Sequence, residues 1–534
     1  MTPALLAAEA GHSATAERLL EAVALIVVVA AATAAARRLP IVSPIMLVLV
    51  GFALSYLPGV PAYALDPELV LLLILPPLLY AAAWRTSLPS FRANLRPIAL
   101  LSVGLVLFTA LVVGVVAAAV VPDLPFAAAV ALGAIVAPPD AVAATAVASR
   151  AGLPRRVVAI LEGESLLNDA TALTTYRLAI AAVASGFSML EFGYRFVLAA
   201  IGGAAVGLAL ALALAWVRRR LPEPVLDTTL TLVAPFLAYV SAEEIDASGV
   251  IAVVVAGLYL GHRAPTETLA ATRLQAAGLW ETLEFLLQGV VFALIGLQLR
   301  SVLEALSRYE TGTVVLASLA VVVAVIASRF VWMFPATYLT RLVPRVRERD
   351  PAPPWQYPTV IAWAGMRGVV SLAAAAALPA TFPMRDLLIF LTFVVIVVTL
   401  VVQGLSLPWL IRHLGIPGPS RVEEALQEAS VQQQAATAAQ RRLDELLQRE
   451  DGLPDGVAER LRDQAELRAL FAWERLGSRD REPPSSAFRR LRREMVEAER
   501  AVFVRARDEG RLDQEPFLQV LRELDTEEVL LARD

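Results

Sequence analysis

Long apolar segments separated by short polar ones dominate the chain up to about residue 412. Many of these runs hold close to 20 apolar residues, the length that a helix needs to cross the hydrocarbon core of a bilayer. The pattern predicts an all-α polytopic membrane protein. We predict about thirteen transmembrane helices, near residues 17–36, 41–57, 67–83, 97–120, 125–148, 157–183, 194–216, 226–242, 247–262, 281–299, 312–340, 357–379 and 385–411.

The pattern changes after the segment "LGIPGPS" at 414–420, and residues 421–534 are rich in Glu, Arg, Gln and Leu. We therefore predict a transmembrane domain over 1–415 and a helical cytoplasmic C-terminal domain over 421–534. Within the second domain, apolar residues at helical spacing follow a likely cap at Ser485–Ser486 and precede a stop at Gly510; they are Phe488, Leu491, Met495, Ala498 and Val502. A regulatory or dimerising tail and a plain amphipathic bundle both fit this pattern.

The first twenty residues lack the early positive region of a secretory signal peptide, so we count the run from Ala16 to Ala36 as the first helix. Arginines then orient the helices, because loops rich in Arg and Lys stay in the cytoplasm. One set of alternate loops holds most of them: Arg37, Arg38, Arg85, Arg92, Arg96, Arg150, Arg155, Arg156, Arg218, Arg219, Arg220, Arg263, Arg273, Arg341, Arg345, Arg347 and Arg349. We expect a plasma (inner) membrane protein with its N-terminus outside and its C-terminus in the cytoplasm.

The composition excludes several classes of function. The chain is 57% hydrophobic and 18% charged, and its net charge of −4 does not indicate a nucleic-acid partner. Cysteine is absent, which excludes disulfides and thiolate metal sites. The three histidines lie at or outside predicted helix ends, and no nucleophile–base pair or phosphate-binding loop is evident, so we expect neither an enzyme nor a cofactor.

Charged residues inside the apolar spans are the candidate functional residues, because a charge at the bilayer centre costs roughly 2.5–3.5 kcal/mol on insertion scales. The first is Asp140 in "GAIVAPPDAVAATAV", which follows Pro138 and Pro139 directly. Prolines there break a helix, and unwound backbone at membrane depth is tolerated where it lines a cavity or is buried in protein. The alternative is a kinked helix with a snorkelling carboxylate.

The second group lies in "LEGESLLNDA". Ser165 and Asp169 are four residues apart and share one helix face, while Glu164 and Asn168 share the adjacent face. Oxygen atoms of Asp169 and Ser165, together with Asp140, suit a hard monovalent cation. A buried carboxylate held only by hydrogen bonds is the alternative for Asp169, and an ion-pair role is favoured for Glu164.

The third is Arg367 in "AWAGMRGVVSLAAAAALP", flanked by Gly365 and Gly368, which weaken the helix and allow close approach. We predict that Arg367 pairs with Glu164. The broken spans that carry Asp140 and Arg367 run in opposite directions and lie seven helices apart. This arrangement predicts inverted repeats with two crossed discontinuous helices and a site near the midplane.

These motifs resemble the bacterial sodium/proton antiporters of the monovalent cation:proton antiporter-1 family. The resemblance covers about residues 15–415 and rests on "ARRLPIVSPIMLVLVG", "LPPLLYAAAWRTS", "GAIVAPPDAVAA", "EGESLLNDATAL" and "GMRGVVSLA", in the order that the family has.

The resemblance implies that Asp169, after Asn168, binds cation and proton alternately. Asp140, Ser165 and backbone near Pro139 would complete the site, Glu164 and Arg367 would hold the transport core together, and a homodimer is expected. Many members read Thr-Asp-Pro where this chain has Pro139, Asp140 and Ala141, so a carbonyl, water or Thr171 would replace the threonine hydroxyl.

The expected function is exchange of cytoplasmic Na⁺, or K⁺ or Li⁺, for external protons by alternating access. Asn168 in place of a second carboxylate favours electroneutral exchange. A cation channel or a membrane sensor using the same cavity is the alternative. Glu281 and Glu284 open the predicted tenth helix, where they fit either a helix N-terminus or an ion funnel or dimer contact.

Overall fold

The computed structural model describes residues 20, 23–36, 38, 43–58, 68, 70–140, 152–185, 189–220, 223–416, 418, 421–449, 456–477 and 484–531. Within these ranges every regular element is a helix. The chain divides into two compact units, Met1–Gly418 and Pro419–Asp534.

The first unit contains a series of apolar helices that correspond to the predicted spans. In chain order they are α1 (Val23–Ala36), α2 (Ser43–Leu54), α3 (Val70–Arg85), α4 (Leu95–Val120), α5 (Phe126–Val136), α6 (Arg155–Ser185), α7 (Met189–Arg218), α8 (Pro224–Glu243), α9 (Gly249–Glu267), α10 (Ala270–Ala305), α11 (Thr311–Tyr338), α12 (Gln356–Trp363), α13 (Val369–Ala376) and α14 (Arg385–His413).

Seven of these helices in the described ranges are long and apolar enough to cross a membrane, namely α4, α7, α8, α9, α10, α11 and α14. Four shorter apolar helices, α1, α2, α3 and α5, accompany them. The all-helical character predicted for this part of the chain is therefore confirmed within the described residues. The number of thirteen crossings stays a prediction.

Two predicted spans are interrupted, for reasons that the sequence makes clear. Helix α5 ends at Val136, just before Pro138 and Pro139, which have no backbone N–H to continue it. Residues 141–148 of that predicted span lie outside the described residues. The span predicted over 357–379 consists of α12 and α13, separated by the non-helical residues 364–368 that include both glycines.

Helix α10 begins at Ala270 rather than near residue 281. Glu281 and Glu284 therefore lie several turns inside the helix, and the prediction that they stabilise its N-terminus is wrong. Three helices of the first unit contain a π-helical turn, a feature often found at functional sites. These turns are Val70–Ile74 in α3, Leu100–Leu105 in α4 and Thr399–Gln403 in α14.

The second unit consists of α15 (Arg421–Leu447), α16 (Val457–Gly477), α17 (Pro484–Asp508) and α18 (Gln514–Leu531). Helix α17 begins at Pro484, so Ser485 and Ser486 lie in its first turn and the prediction that they cap it is wrong. It ends before Gly510, whose φ of +70° suits a glycine after a helix. The predicted apolar stripe does not form the core of this unit: Phe488, Leu491, Met495 and Val502 are each more than half exposed.

Candidate functional site

A cavity of about 360 Å³ in the first unit brings together the sequence-predicted site residues Pro139, Asp140, Ser165 and Asp169. Helices α3, α6 and α10 contribute its walls, and the non-helical residues 138–140 together with the start of α13 complete it. The π turn of α3 also lines it through Val70, Leu71 and Ile74. Residues more than 200 positions apart in the chain therefore line the same cavity.

Asp140 and Asp169 are the two aspartates that line this cavity. They lie close enough for their charges to interact repulsively. Asp169 is only 7% exposed, whereas Asp140 and Ser165 are partly exposed and line the same space. Because two carboxylates in a confined site disfavour each other's ionisation, a bound cation or proton would stabilise the pair.

Backbone hydrogen bonds hold the two interrupted segments against each other. The Asp140 N–H donates to the Met366 carbonyl at 2.7 Å, which joins the break after α5 to the break between α12 and α13. The Asn168 side-chain amide donates to the Pro139 carbonyl at 2.7 Å. Asn168 therefore positions the unwound segment, and its location next to that segment agrees with the sequence prediction of a cavity-lining break.

Arg367 lies at the C-terminal end of α5. Its guanidinium is 1% exposed and donates from Nε to the Val136 carbonyl at 2.9 Å, and from its other nitrogens to the carbonyls of Ala137 and Gly365. The last carbonyls of a helix lack intrahelical donors and carry the negative end of its dipole. Arg367 thus stabilises the terminus that the two prolines create.

Glu164 has a different partner from the one that the sequence predicted. It forms a two-pronged ion pair with Arg329 of α11, with N–O distances of 2.6 and 2.8 Å, and both side chains are 1% exposed. Arg329 also donates to the Ile361 carbonyl of α12. Arg367 lies near enough to interact electrostatically with both Glu164 and Arg329, but it donates its hydrogen bonds to carbonyl oxygens.

The glycines on either side of Arg367 leave room for charged neighbours, as predicted. A Cβ added to Gly368 would lie 1.9 Å from Oδ2 of Asp140, and one added to Gly365 would lie 2.6 Å from the Arg329 side chain. The Cβ added to Gly368 would also lie 2.7 Å from Cβ of Asp140, whose backbone is hydrogen-bonded to Met366, so the site would have to shift. Only glycine therefore lets α13 begin directly beside Asp140.

An ion pair lies at one edge of the cavity. Arg85 at the end of α3 donates to Glu284 of α10, and Gln288 donates to the same carboxylate at 2.9 Å. Glu162 of α6 lines the cavity near Arg85, whose charge reaches it. This placement favours the ion-funnel interpretation of Glu284 over a helix-terminus role.

Sequence reasoning missed two residues of the site. Arg329 lies in the middle of the apolar segment that became α11, and an arginine within such a span is a signal that was available. Ser371 of α13 is 1% exposed and lines the cavity, and its hydroxyl has no hydrogen-bond partner among the described residues. Thr171, the proposed substitute for the missing threonine, does not line the cavity; its hydroxyl lies 3.4 Å from the Leu167 carbonyl.

The polar atoms of the site suit a hard cation. They are carboxylate, hydroxyl and carbonyl oxygens, which are the ligands of hard cations. Within the described ranges, no group of three or more His, Cys, Asp or Glu side chains is arranged to hold a metal ion.

Known proteins with similar sequences are cation exchangers. Over 96% of both chains, the protein is 34% identical to an uncharacterized Na⁺/H⁺ exchanger of Mycobacterium tuberculosis. It is 33% identical to a sodium, potassium, lithium and rubidium/H⁺ antiporter of Bacillus pumilus over 69% of this chain and 57% of that protein. A low-affinity Na⁺/H⁺ antiporter of Synechocystis is 32% identical over 79% of this chain and 78% of its own.

The fold is similar to a solved structure, that of a sodium proton antiporter from Methanocaldococcus jannaschii. The TM-score is 0.60, with 21% identity over 74% of this chain and 99% of the other. The family model described as "Sodium/hydrogen exchanger, transmembrane" matches residues 23–413, the range that contains the cavity and both interrupted spans. The chain therefore belongs to the sodium/hydrogen exchanger family.

Proposed function

We propose that this protein exchanges cytoplasmic Na⁺ for external protons by alternating access, with Asp169 as the carboxylate that binds the two ions in turn. The supporting observation is that Asp140 and Asp169 line one cavity beside the non-helical residues 137–140 and 364–368. Unwound segments of this kind supply ion ligands at the midplane of secondary transporters. Membership of the family supports cation/proton antiport in general.

The charge balance of the buried site favours one-for-one exchange. Apart from Glu162 and the Arg85–Glu284 pair at the cavity edge, Asp140, Asp169 and Glu164 contribute three negative charges and Arg329 and Arg367 two positive ones, so this inner set carries −1 when all are ionised. One Na⁺ or one proton neutralises it. Either ion gives the same total charge, and crossing the membrane in a neutral site costs less than crossing with a net charge. We therefore propose electroneutral exchange.

The ligand set that we propose consists of the Asp169 and Asp140 carboxylates, the Ser165 hydroxyl and backbone oxygen near Pro139. Ser371 supplies the hydroxyl that the missing threonine would have given, because its buried oxygen lines the same cavity. A relative is described as transporting sodium, potassium, lithium and rubidium. K⁺ and Li⁺ are therefore tested alongside Na⁺.

The arginine-rich loops support an orientation with the N-terminus outside and the C-terminus in the cytoplasm of a plasma (inner) membrane, where we propose that the protein works as a homodimer. In this orientation the Arg85–Glu284 edge of the cavity faces the cytoplasm. We propose that the cytoplasmic cation enters the site along this edge.

The main test uses the full-length protein in proteoliposomes that enclose a pH-sensitive dye. Adding Na⁺, K⁺ or Li⁺ should dissipate an imposed pH gradient, and Asp169→Asn should abolish this response. Asp123→Asn is the matched control: Asp123 is exposed, and asparagine tolerates its φ of +59°. Competition at one carboxylate predicts that the apparent affinity for the cation weakens as pH falls, by up to about tenfold per pH unit below the pKa of the site.

Retention of cation-driven proton movement in Asp169→Asn would refute the site, and an affinity that does not change with pH would refute competition. A channel would instead conduct steady single-channel current without coupled proton movement. A membrane potential should leave the exchange rate of the wild type unchanged if exchange is electroneutral.

A further inference from the structure

A second cavity of about 300 Å³ lies in the first unit, apart from the ion site, and is lined by Arg96, Arg156 and Arg341 with Asp350 as the acidic side chain among its lining residues. Its other walls are mostly apolar and include Leu100, Leu101, Val157, Ile160, Met333 and Ile361. This cavity therefore has several arginines at one end and an apolar wall, whereas the ion site is lined by carboxylates.

Asp350 contacts all three arginines. It lies 2.5 Å from Arg156 and from Arg341 and 3.5 Å from Arg96. One carboxylate against three guanidinium groups leaves a local charge of +2. Arg96 and Arg156 are also one third and nearly one half exposed, so they remain within reach of a further anion.

The donors of Arg156 show room for such an anion. Its Nε donates to Asn94 at 3.1 Å and its Nη2 to Asp350, so these two bonds use two of its five N–H donors. A guanidinium carries five N–H donors in a planar fork that matches phosphate oxygens. Arg96, whose contact with Asp350 is the longest of the three, can turn toward the same anion.

The surroundings of the cavity are apolar and exposed. Leu339, Leu342, Val343 and Trp355, which lie in the segment beside Arg341 and Asp350, are all more than half exposed. Exposed aliphatic residues beside a tryptophan and several arginines are typical of the interface between the bilayer and water. Basic pockets between membrane helices at this level bind the headgroups of anionic lipids.

We propose that this cavity binds one anionic phospholipid, with its phosphate at Arg96 and Arg156 and an acyl chain along the apolar wall. The positive charge of the arginines favours a negatively charged headgroup. The six apolar wall residues favour a molecule that carries an acyl chain over free phosphate. Arg341, 9% exposed, donates to both the carbonyl and the carboxylate of Asp350 and so balances part of that negative charge.

The elements around this cavity also carry the ion site. Val157 and Ile160 lie on α6, which continues to Ser165 and Asp169; Met333 lies one turn after Arg329 on α11. Ile361 of α12 lines the cavity and accepts the hydrogen bonds of Arg329. A bound lipid would therefore favour one arrangement of these three helices and change the exchange rate.

Binding is tested with the full-length protein, purified and stripped of lipid, by native mass spectrometry. The probes are dioleoylphosphatidylglycerol, dioleoylphosphatidylcholine and sn-glycerol 3-phosphate. The double variant Arg96→Gln/Arg156→Gln should bind phosphatidylglycerol about 25-fold more weakly, at about fivefold per arginine. Arg345→Gln/Arg347→Gln is the matched control, because both residues are exposed, carry the same charge and do not line the cavity.

The single variant Arg96→Gln provides the test if the double variant does not fold, since the Arg96 side chain approaches Asp350 only at 3.5 Å and its loss disturbs the folded protein less. It should bind phosphatidylglycerol about fivefold more weakly. Equal binding of this lipid by the cavity variants and the control would overturn the proposal. So would equally tight binding of glycerol 3-phosphate or phosphatidylcholine, because either result removes the need for a charged headgroup joined to a chain.

The effect on transport is measured in liposomes of phosphatidylglycerol and phosphatidylcholine at varied ratio, and this measurement rests on the proposed exchange activity. The rate should depend on phosphatidylglycerol in the wild type and the control, and no longer in Arg96→Gln/Arg156→Gln. Equal dependence in all three would overturn the coupling. Absence of exchange in every protein with lipid binding intact would count against the proposed function alone.

Discussion

Replacing Glu164 by Gln removes the negative member of the buried ion pair and leaves Arg329, 1% exposed, without its counter-charge. Removal of one partner from a buried pair typically costs about 3–5 kcal/mol. We expect a loss near the lower end, about 3 kcal/mol, because glutamine keeps one oxygen acceptor and the Ile361 carbonyl still accepts from the guanidinium.

The measurement is equilibrium unfolding of the full-length protein in mixed micelles of dodecylmaltoside and sodium dodecyl sulfate, followed by tryptophan fluorescence. Glu243→Gln is the matched control, because its ion pair with Arg177 is 26% and 53% exposed for the two side chains. An exposed pair contributes at most about 1 kcal/mol, so this variant should unfold close to the wild type.

A double-mutant cycle identifies the partner. Combining Glu164→Gln with Arg329→Gln should give a coupling free energy of about 2 kcal/mol or more, and combining it with Arg367→Gln should give clearly less. The cause is geometric: Arg329 makes two direct bonds to the carboxylate, whereas Arg367 donates to carbonyls. A larger coupling with Arg367, or a Glu164→Gln variant as stable as Glu243→Gln, would refute this reasoning.

Three further predictions concern transport. Gly368→Ala should abolish exchange, because the new methyl group would lie 1.9 Å from a carboxylate oxygen of the site. Ser371→Ala should weaken the apparent cation affinity several-fold, by removing an oxygen ligand, with little change in the amount of folded protein. Arg85→Gln should strengthen the apparent cation affinity at low ionic strength, because it unmasks the carboxylates at the edge of the cavity, and added salt should remove the gain.

Each of these variants has a counterpart that should behave like the wild type. An added Cβ at Gly278 meets no atom within 4 Å, the Thr171 hydroxyl lies outside the cavity, and Arg219 pairs with Glu267 away from it. Full activity of Gly368→Ala would contradict the close packing at the break. An unchanged affinity in Ser371→Ala, or an Arg85→Gln effect equal to that of Arg219→Gln, would exclude the corresponding role.

Much of the site could be predicted from local sequence. The sequence shows Asp140 directly after two prolines, and Ser165 and Asp169 four residues apart on a helix. A carboxylate in an apolar span is costly, so each of these aspartates must face a cavity or a partner. The two interrupted spans were visible for the same reason, since proline and glycine act on the backbone where they stand. The start of α10 was misplaced because its first turns are polar enough to read as a loop.

The local sequence could not predict which side chains from distant helices interact with each other. Hydropathy and spacing by themselves determined the helices, the interrupted spans and the set of charged residues that must be compensated inside the membrane. Only the tertiary structure decided that Glu164 pairs with Arg329, that Arg367 stabilises the end of α5, and that Ser371 reaches the cavity. The physical reason is that a buried charge requires some compensating group, and which group supplies it depends on the helices that pack beside it.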